Sequence, residues 1–134
     1  MAIVAPNVGE VLLLKYMLNH TSATDVVLRL YTNDVDPSET DTIATYIGSE
    51  PTDVAYTPAT LPGASWTVAT VSGVTTASYA SQFFSFSSGA STYGYFVTDN
   101  SGTGLLWAER FDAAPYNIAT GGGVIRIDPE TDLS

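Results

Sequence analysis

Residues Thr92–Phe111, TYGYFVTDNSGTGLLWAERF, carry the strongest structural signal in the chain. In Thr92–Thr98, alternation puts Tyr93, Tyr95 and Val97 on one side of a strand and Phe96 on the other. In Leu105–Phe111 it puts Leu105, Trp107, Glu109 and Phe111 on one side. Between them, Asp99-Asn100-Ser101-Gly102-Thr103-Gly104 concentrates the residue types that reverse a chain. Two aromatic and β-branched runs around such a loop predict an antiparallel hairpin.

The same alternation extends outward. Asp25–Thr32, DVVLRLYT, sets Val26, Leu28 and Leu30 against Val27, Arg29 and Tyr31. Ser65–Val71 contains Trp66 and Val68, and Tyr79–Ser87 puts Phe84 and Phe86 on one face. Val54–Thr57 is a weak candidate, and Val124–Asp128 follows the flexible run Gly121-Gly122-Gly123. The 18 Thr, 13 Ser, eight Tyr and five Phe suit pleated surfaces, whereas four Lys and Arg are too few for many exposed helices. The expectation is one all-β domain over residues 1–134, a sandwich or jelly-roll-like barrel with one short N-terminal helix. The acidic tail Asp128–Ser134 is expected to fray.

The helix is expected at Val8–Asn19. Asn7 can cap it, and Glu10 sits in its first turn. Val11, Leu14 and Leu18 recur at helical spacing, and Leu12 and Tyr16 widen the stripe until the segment is apolar nearly all round. A strand over Val11–Tyr16 is the alternative. Residues 33–53, NDVDPSETDTIATYIGSEPTD, form a long acidic loop in which Ser38–Tyr46 can hold a helical turn. Long loops in compact domains are often functional or interfacial.

Composition excludes several classes of function. With 14 acids and four Lys and Arg the formal charge is −10, which argues against binding nucleic acid or anionic membranes. No cysteine is present, so thiol chemistry, disulfides and thiolate metal sites are out. The single histidine, His20, reads as solvated or capping. No nucleophile elbow or phosphate-binding glycine loop occurs. The start of the chain has no basic, apolar leader pattern, so Asn19-His20-Thr21 is read as a chance sequon. Asp34-Val35-Asp36 with Glu39 and Asp41 offers oxygen ligands to calcium, but without EF-hand spacing, so a solvated acidic loop is preferred. Glu109, among Trp107 and Phe111, needs a partner if buried. Arg29 or Arg126 from another strand is the expected one, ahead of a role as a glycosidase acid. Tyr93, Tyr95, Trp66 and Trp107 can stack on sugars, although aromatics at strand spacing are more often core. No catalytic residue, cofactor or metal is assigned.

Tyr93-Gly94-Tyr95-Phe96-Val97-Thr98, Leu105–Phe111 and Gly121-Gly122-Gly123-Val124-Ile125 together resemble small virion proteins of tailed bacteriophages, including those of cyanobacteria. Pro6-Asn7-Val8-Gly9-Glu10 and Leu28-Arg29-Leu30-Tyr31-Thr32-Asn33 share the resemblance, which covers most of the chain. It implies a capsid decoration or cement protein: made in the host cytoplasm, placed on the outer capsid surface, bound to the major capsid protein and assembled as a homotrimer. A tail- or fibre-associated role, or a carbohydrate-binding sandwich used in host attachment, is the alternative. A small glycan hydrolase is a third. The expected contact residues are Val11, Leu12, Leu14, Tyr16 and Leu18 on the helix, then Asp34, Asp36 and Glu39 on the acidic loop, where negative charge can complement a basic partner.

Overall fold

The computed structural model describes residues 3–17 and 25–133. The chain is all-β, built of antiparallel sheets with a helix at the N-terminal end, α1 (Asn7–Met17). A second, single-turn helix, α2 (Ile43–Tyr46), lies inside the acidic loop. The strands are β1 (Val26–Tyr31), β2 (Ala59–Leu61), β3 (Thr67–Val71), β4 (Val74–Ser78), β5 (Gln82–Phe86) and β6 (Ala90–Thr92), followed by β7 (Gly94–Asp99), β8 (Leu105–Arg110), β9 (Tyr116–Ile118), β10 (Gly123–Ile127) and β11 (Glu130–Leu133). They form sheets ordered β2-β1-β7-β8, β10-β5, β11-β4-β3 and β6-β9, a sandwich-like stack with no closed barrel among the described residues.

The hairpin read from Thr92–Phe111 is present as β7–β8, beside β1. Asp99 closes its turn, its side chain accepting from the Thr103 amide at 3.0 Å and the Ser101 hydroxyl at 2.9 Å. Directly opposed residues in a sheet share a face, so the registers sort the side chains. Leu28, Val97 and Trp107 are in line, as are Leu30, Tyr95 and Glu109. This first face joins Phe84, Phe86, Ile125 and Ile127 of the β5–β10 pair and Leu61 in the main core. The opposite face presents Tyr31 and Phe96 to Tyr46, with Val35, Ile43 and Tyr93 packed around them. Burial pushes the phenols of Tyr31 and Tyr46 well above their ordinary range.

Two departures from simple alternation matter. A bulge between Val97 and Thr98 pairs Val97 with Trp107 but Thr98 with Leu105. Leu105 therefore turns to the second core, while Leu106 and Trp107 both serve the first. At Tyr93 the chain changes partners: Thr92 pairs with Tyr116, Gly94 with Tyr31. Tyr93 thus packs with the second core and not beside Tyr95.

Other expectations shift at element ends. Residues 54–57 form no strand; β2 starts two residues later. The segment after Ile127 does not fray, since β11 pairs with β4 through Thr131↔Ala77 and Asp132↔Thr76. Asn7 is the first helical residue and not the cap. The Pro6 carbonyl accepts from the Glu10 amide, and the Asn7 amide donates to the Glu39 carbonyl at 3.0 Å. The expected helical span beyond Met17 lies outside the described residues.

Close approach requires glycine at Gly9 and Gly94, among other positions. Gly9 lays α1 against β8, where a Cβ would overlap the Leu106 carbonyl oxygen. At Gly94 a Cβ would overlap the Glu109 carbonyl oxygen and crowd the Tyr31 ring. Gly94→Ala is expected to cost about 3 kcal/mol in urea denaturation, because backbone and a buried ring must both shift. Gly48→Ala, with open space around it, is expected to change stability by less than about 0.5 kcal/mol.

Candidate functional site

The acidic loop is less free than its charge suggests. Arg29, on the second face of β1, makes a 3.1 Å ion pair with Glu50, each side chain about one-fifth exposed. Glu50 also accepts from the Tyr56 hydroxyl at 3.1 Å, and that hydroxyl accepts from the Leu30 amide at 3.0 Å. At the other end of the loop Arg110 pairs with Asp34 at 2.6 Å and with Asp36 at 3.3 Å, and donates to the Val35 carbonyl. Its guanidinium lies 5.2 Å from the centre of the Tyr93 ring. Asp41 accepts from the Tyr46 hydroxyl and the Ser38 amide. The loop is thus the outer layer of the second core, tied down by two arginines.

This arrangement corrects the expected partner of Glu109. In register, Arg29 lines up with Phe96 and Ala108, one residue out of step with Tyr95 and Glu109, so Arg29 and Glu109 lie on opposite faces of the sheet. Glu109 instead accepts from the Tyr95 hydroxyl. Burial, reinforced by that carboxylate, raises the Tyr95 phenol well above its ordinary range. Arg126 pairs with Asp128 on the surface, at 3.0 Å.

The expected contact residues are placed as follows. Val11 and Leu14 are each half exposed, and Val8 and Leu13 join them in solvent. Leu12 points the other way and packs against the main core. The side chain of Tyr16 and the whole of Leu18 lie outside the described residues, as does His20. Asp34 and Asp36 remain largely exposed while paired with Arg110, and the Glu39 side chain is exposed. Helix and loop meet at the bond from Asn7 to the Glu39 backbone. The residues proposed for calcium do not converge, and no group of three or more acids or histidines among the described residues is placed to hold a metal ion. Trp107 is buried, and Trp66 packs edge-on against Tyr79 and Trp107 with ring centres 5.3 and 6.3 Å away, so these rings join layers and do not form an open platform. No helix among the described residues is long and apolar enough to cross a membrane.

An open cleft of about 540 Å³ lies between the end of the acidic loop and the segment after β5, lined by Glu50, Asp53, Ser87, Ser88 and Ser91 among others. Asp53 organises it. One carboxylate oxygen accepts from the Ser87 and Ala55 amides, each at 2.9 Å; the other accepts from the Ser88 amide at 3.0 Å and its hydroxyl at 2.7 Å. These bonds, the Ser87 amide foremost, hold the carboxyl far below its usual range. Asp53 is therefore a structural staple, with its acceptor capacity already filled.

Reading from alternation alone overlooks one surface. Between Asp53 and Asp99 the sequence has no charged residue. Within that span β3 and β4 form a hairpin around Ser72-Gly73, with every β3 residue exposed and Val68 and Val71 about two-thirds exposed or more. The dipeptide Ser-Gly between two valines was the available turn signal.

A depressed carboxylate contributes stability above its unfolded pKa and loses it as pH falls through the folded value. Asp53→Asn is therefore expected to be less thermally stable than the parent at neutral pH, with a gap that narrows as pH drops below about 4. Melting temperatures across that range check it; a gap unchanged by acid would show that the charge of Asp53 is not what ties the loop. Glu50→Ala is expected to cost about 2 kcal/mol, since it strands Arg29 and Tyr56 on a half-buried surface, whereas Arg126→Ala should leave the unfolding midpoint unchanged.

No family model, no curated protein and no solved structure matches this chain.

Proposed function

We propose that this protein is a structural component of a phage particle, a capsid decoration or cement protein that acts by surface contact and not by catalysis. The reading rests on the sequence resemblance to small virion proteins. The observation that carries it is the outward side of α1, where Val11 and Leu14 are half exposed, with Val8 and Leu13 also in solvent on its two flanks, on a helix seated on β8 through Gly9 and Leu12. A helix held this firmly, with aliphatic side chains left in solvent, fits a surface that gains its cover from a partner. The partner under this reading is the outer surface of the major capsid protein. The neighbouring acids Asp34, Asp36 and Glu39 favour a basic patch beside the apolar contact.

The test is co-sedimentation with capsids assembled without the chain. The parent protein is expected to pellet with the shells and to raise their thermal resistance. The double substitution Val11→Glu, Leu14→Glu changes only exposed side chains, and is expected to weaken capsid binding at least about tenfold, equivalent to ~1.4 kcal/mol, with an unaltered circular dichroism spectrum. Failure of the parent chain to bind shells, or binding indifferent to both substitutions, overturns the reading.

A further inference from the structure

We propose that β3 is a self-association edge, through which two copies of this chain pair antiparallel about a two-fold axis at Ala69. The proposal does not rest on the virion reading, and it sets a two-fold pair where the resemblance behind that reading implies a homotrimer. Several other sheet edges are visibly protected. The outer edge of β8 is covered by the N-terminal segment, where Val4 and Ala108 exchange both backbone bonds at 3.0 Å. The strand β2 is three residues long and flanked by Pro58 and Pro62. In the β5–β10 pair, Arg126 stands opposite Phe83. On the far side of the sheet that contains β3, β11 carries Glu130 and Asp132. These are the usual protections of a sheet edge: cover, shortness, proline and charge. The strand β3, TVATV, has none of them, and among the described residues it has no partner on its outer side.

The hydrogen-bonding geometry selects which groups are free. Ser72 and Gly73 both have positive φ, 52° and 85°, the conformation of a two-residue hairpin turn. Such a turn makes the flanking Val71 and Val74 a hydrogen-bonded pair, and antiparallel bonding alternates from there. Thr67, Ala69 and Val71 therefore bond inward to β4, while the amides and carbonyls of Val68 and Thr70 point outward. In a pair centred on Ala69, Val68 of one copy faces Thr70 of the other, and the outward groups of both satisfy each other. Ala69 faces Ala69, so the axis is free of bulk.

Charge identifies the occupant as a second copy. Each chain carries a formal −10, so two copies repel wherever acids face acids. The β3–β4 hairpin is uncharged throughout and is a place where like chains can meet without that cost. The pair is also closed, because the remaining edge of the joined sheet is β11, with its two acids.

Light scattering on the purified full chain tests this. The expected mass is twice that of one chain, with dissociation weakening as salt rises from ~0.02 M to ~0.5 M and screens the residual repulsion. Ala69→Glu places two carboxylates at the axis, and Val68→Pro removes an outward amide without touching the bonds to β4; each is expected to halve the mass. Hydrogen exchange supplies a readout that needs no variant to fold: the Val68 and Thr70 amides should be protected at high protein concentration and should lose that protection on dilution. A mass of one chain at every concentration and salt, a mass of three, or a dimer that survives both substitutions overturns the proposal.

Discussion

The second face of the central sheet must be kept dry, and among the described residues no sheet covers it. Tyr31, Phe96 and Leu105 project from that face, and among the described residues the side chains packed over them, Val35, Ile43 and Tyr46, come from a loop whose composition is acidic. Such a loop cannot be held by apolar contact alone. Arg29 and Arg110 stand on the same face and neutralise Glu50 at one end and Asp34 and Asp36 at the other. With both ends fixed, Tyr46 and Ile43 of the helical turn between them drop onto the aromatic surface. Two of the four basic residues are committed here, which explains why so acidic a chain retains them.

The bulge at Val97/Thr98 makes that two-sided packing possible. A regular strand would send Leu106 to the second face and Leu105 to the first. The extra residue lets Leu106 and Trp107 both fill the main core and frees Leu105 for the other side. The β7–β8 hairpin then serves two cores, and the polar Thr98, fully buried at the bulge, donates its hydroxyl to the Asp99 carbonyl at 2.9 Å. Its only charged groups, Asp99, Glu109 and Arg110, each meet a specific partner.

Surface chemistry divides in a similar way. Three carboxylates are occupied: Glu109 by Tyr95, Asp53 by two serines, Glu50 by Arg29 and Tyr56. Beside the exposed acids Asp34, Asp36 and Glu39, two open surfaces are apolar or neutral, the aliphatic residues of α1 and the hairpin β3–β4. Those two surfaces carry the two proposals, the helix toward a capsid and the hairpin toward a second copy of the chain.

Much was legible beforehand. Alternation and turn chemistry are local properties, so the all-β class, the β7–β8 hairpin, β1 and the helical turn near Tyr46 could be read from neighbouring residues alone. The helix start was placed within one residue, and the greasy residues Val11 and Leu14 were singled out by spacing. Tertiary structure alone decided which arginine meets which acid. That depends on the face each residue occupies, and the face depends on registers between strands far apart in sequence and on a bulge that no spacing rule foresees. It also decided that Leu12 turns inward, that the acidic tail pairs as β11, and that no described residue covers the outer edge of the β3–β4 hairpin. Whether an edge is free is a statement about what lies beside it, and only the folded chain contains that information.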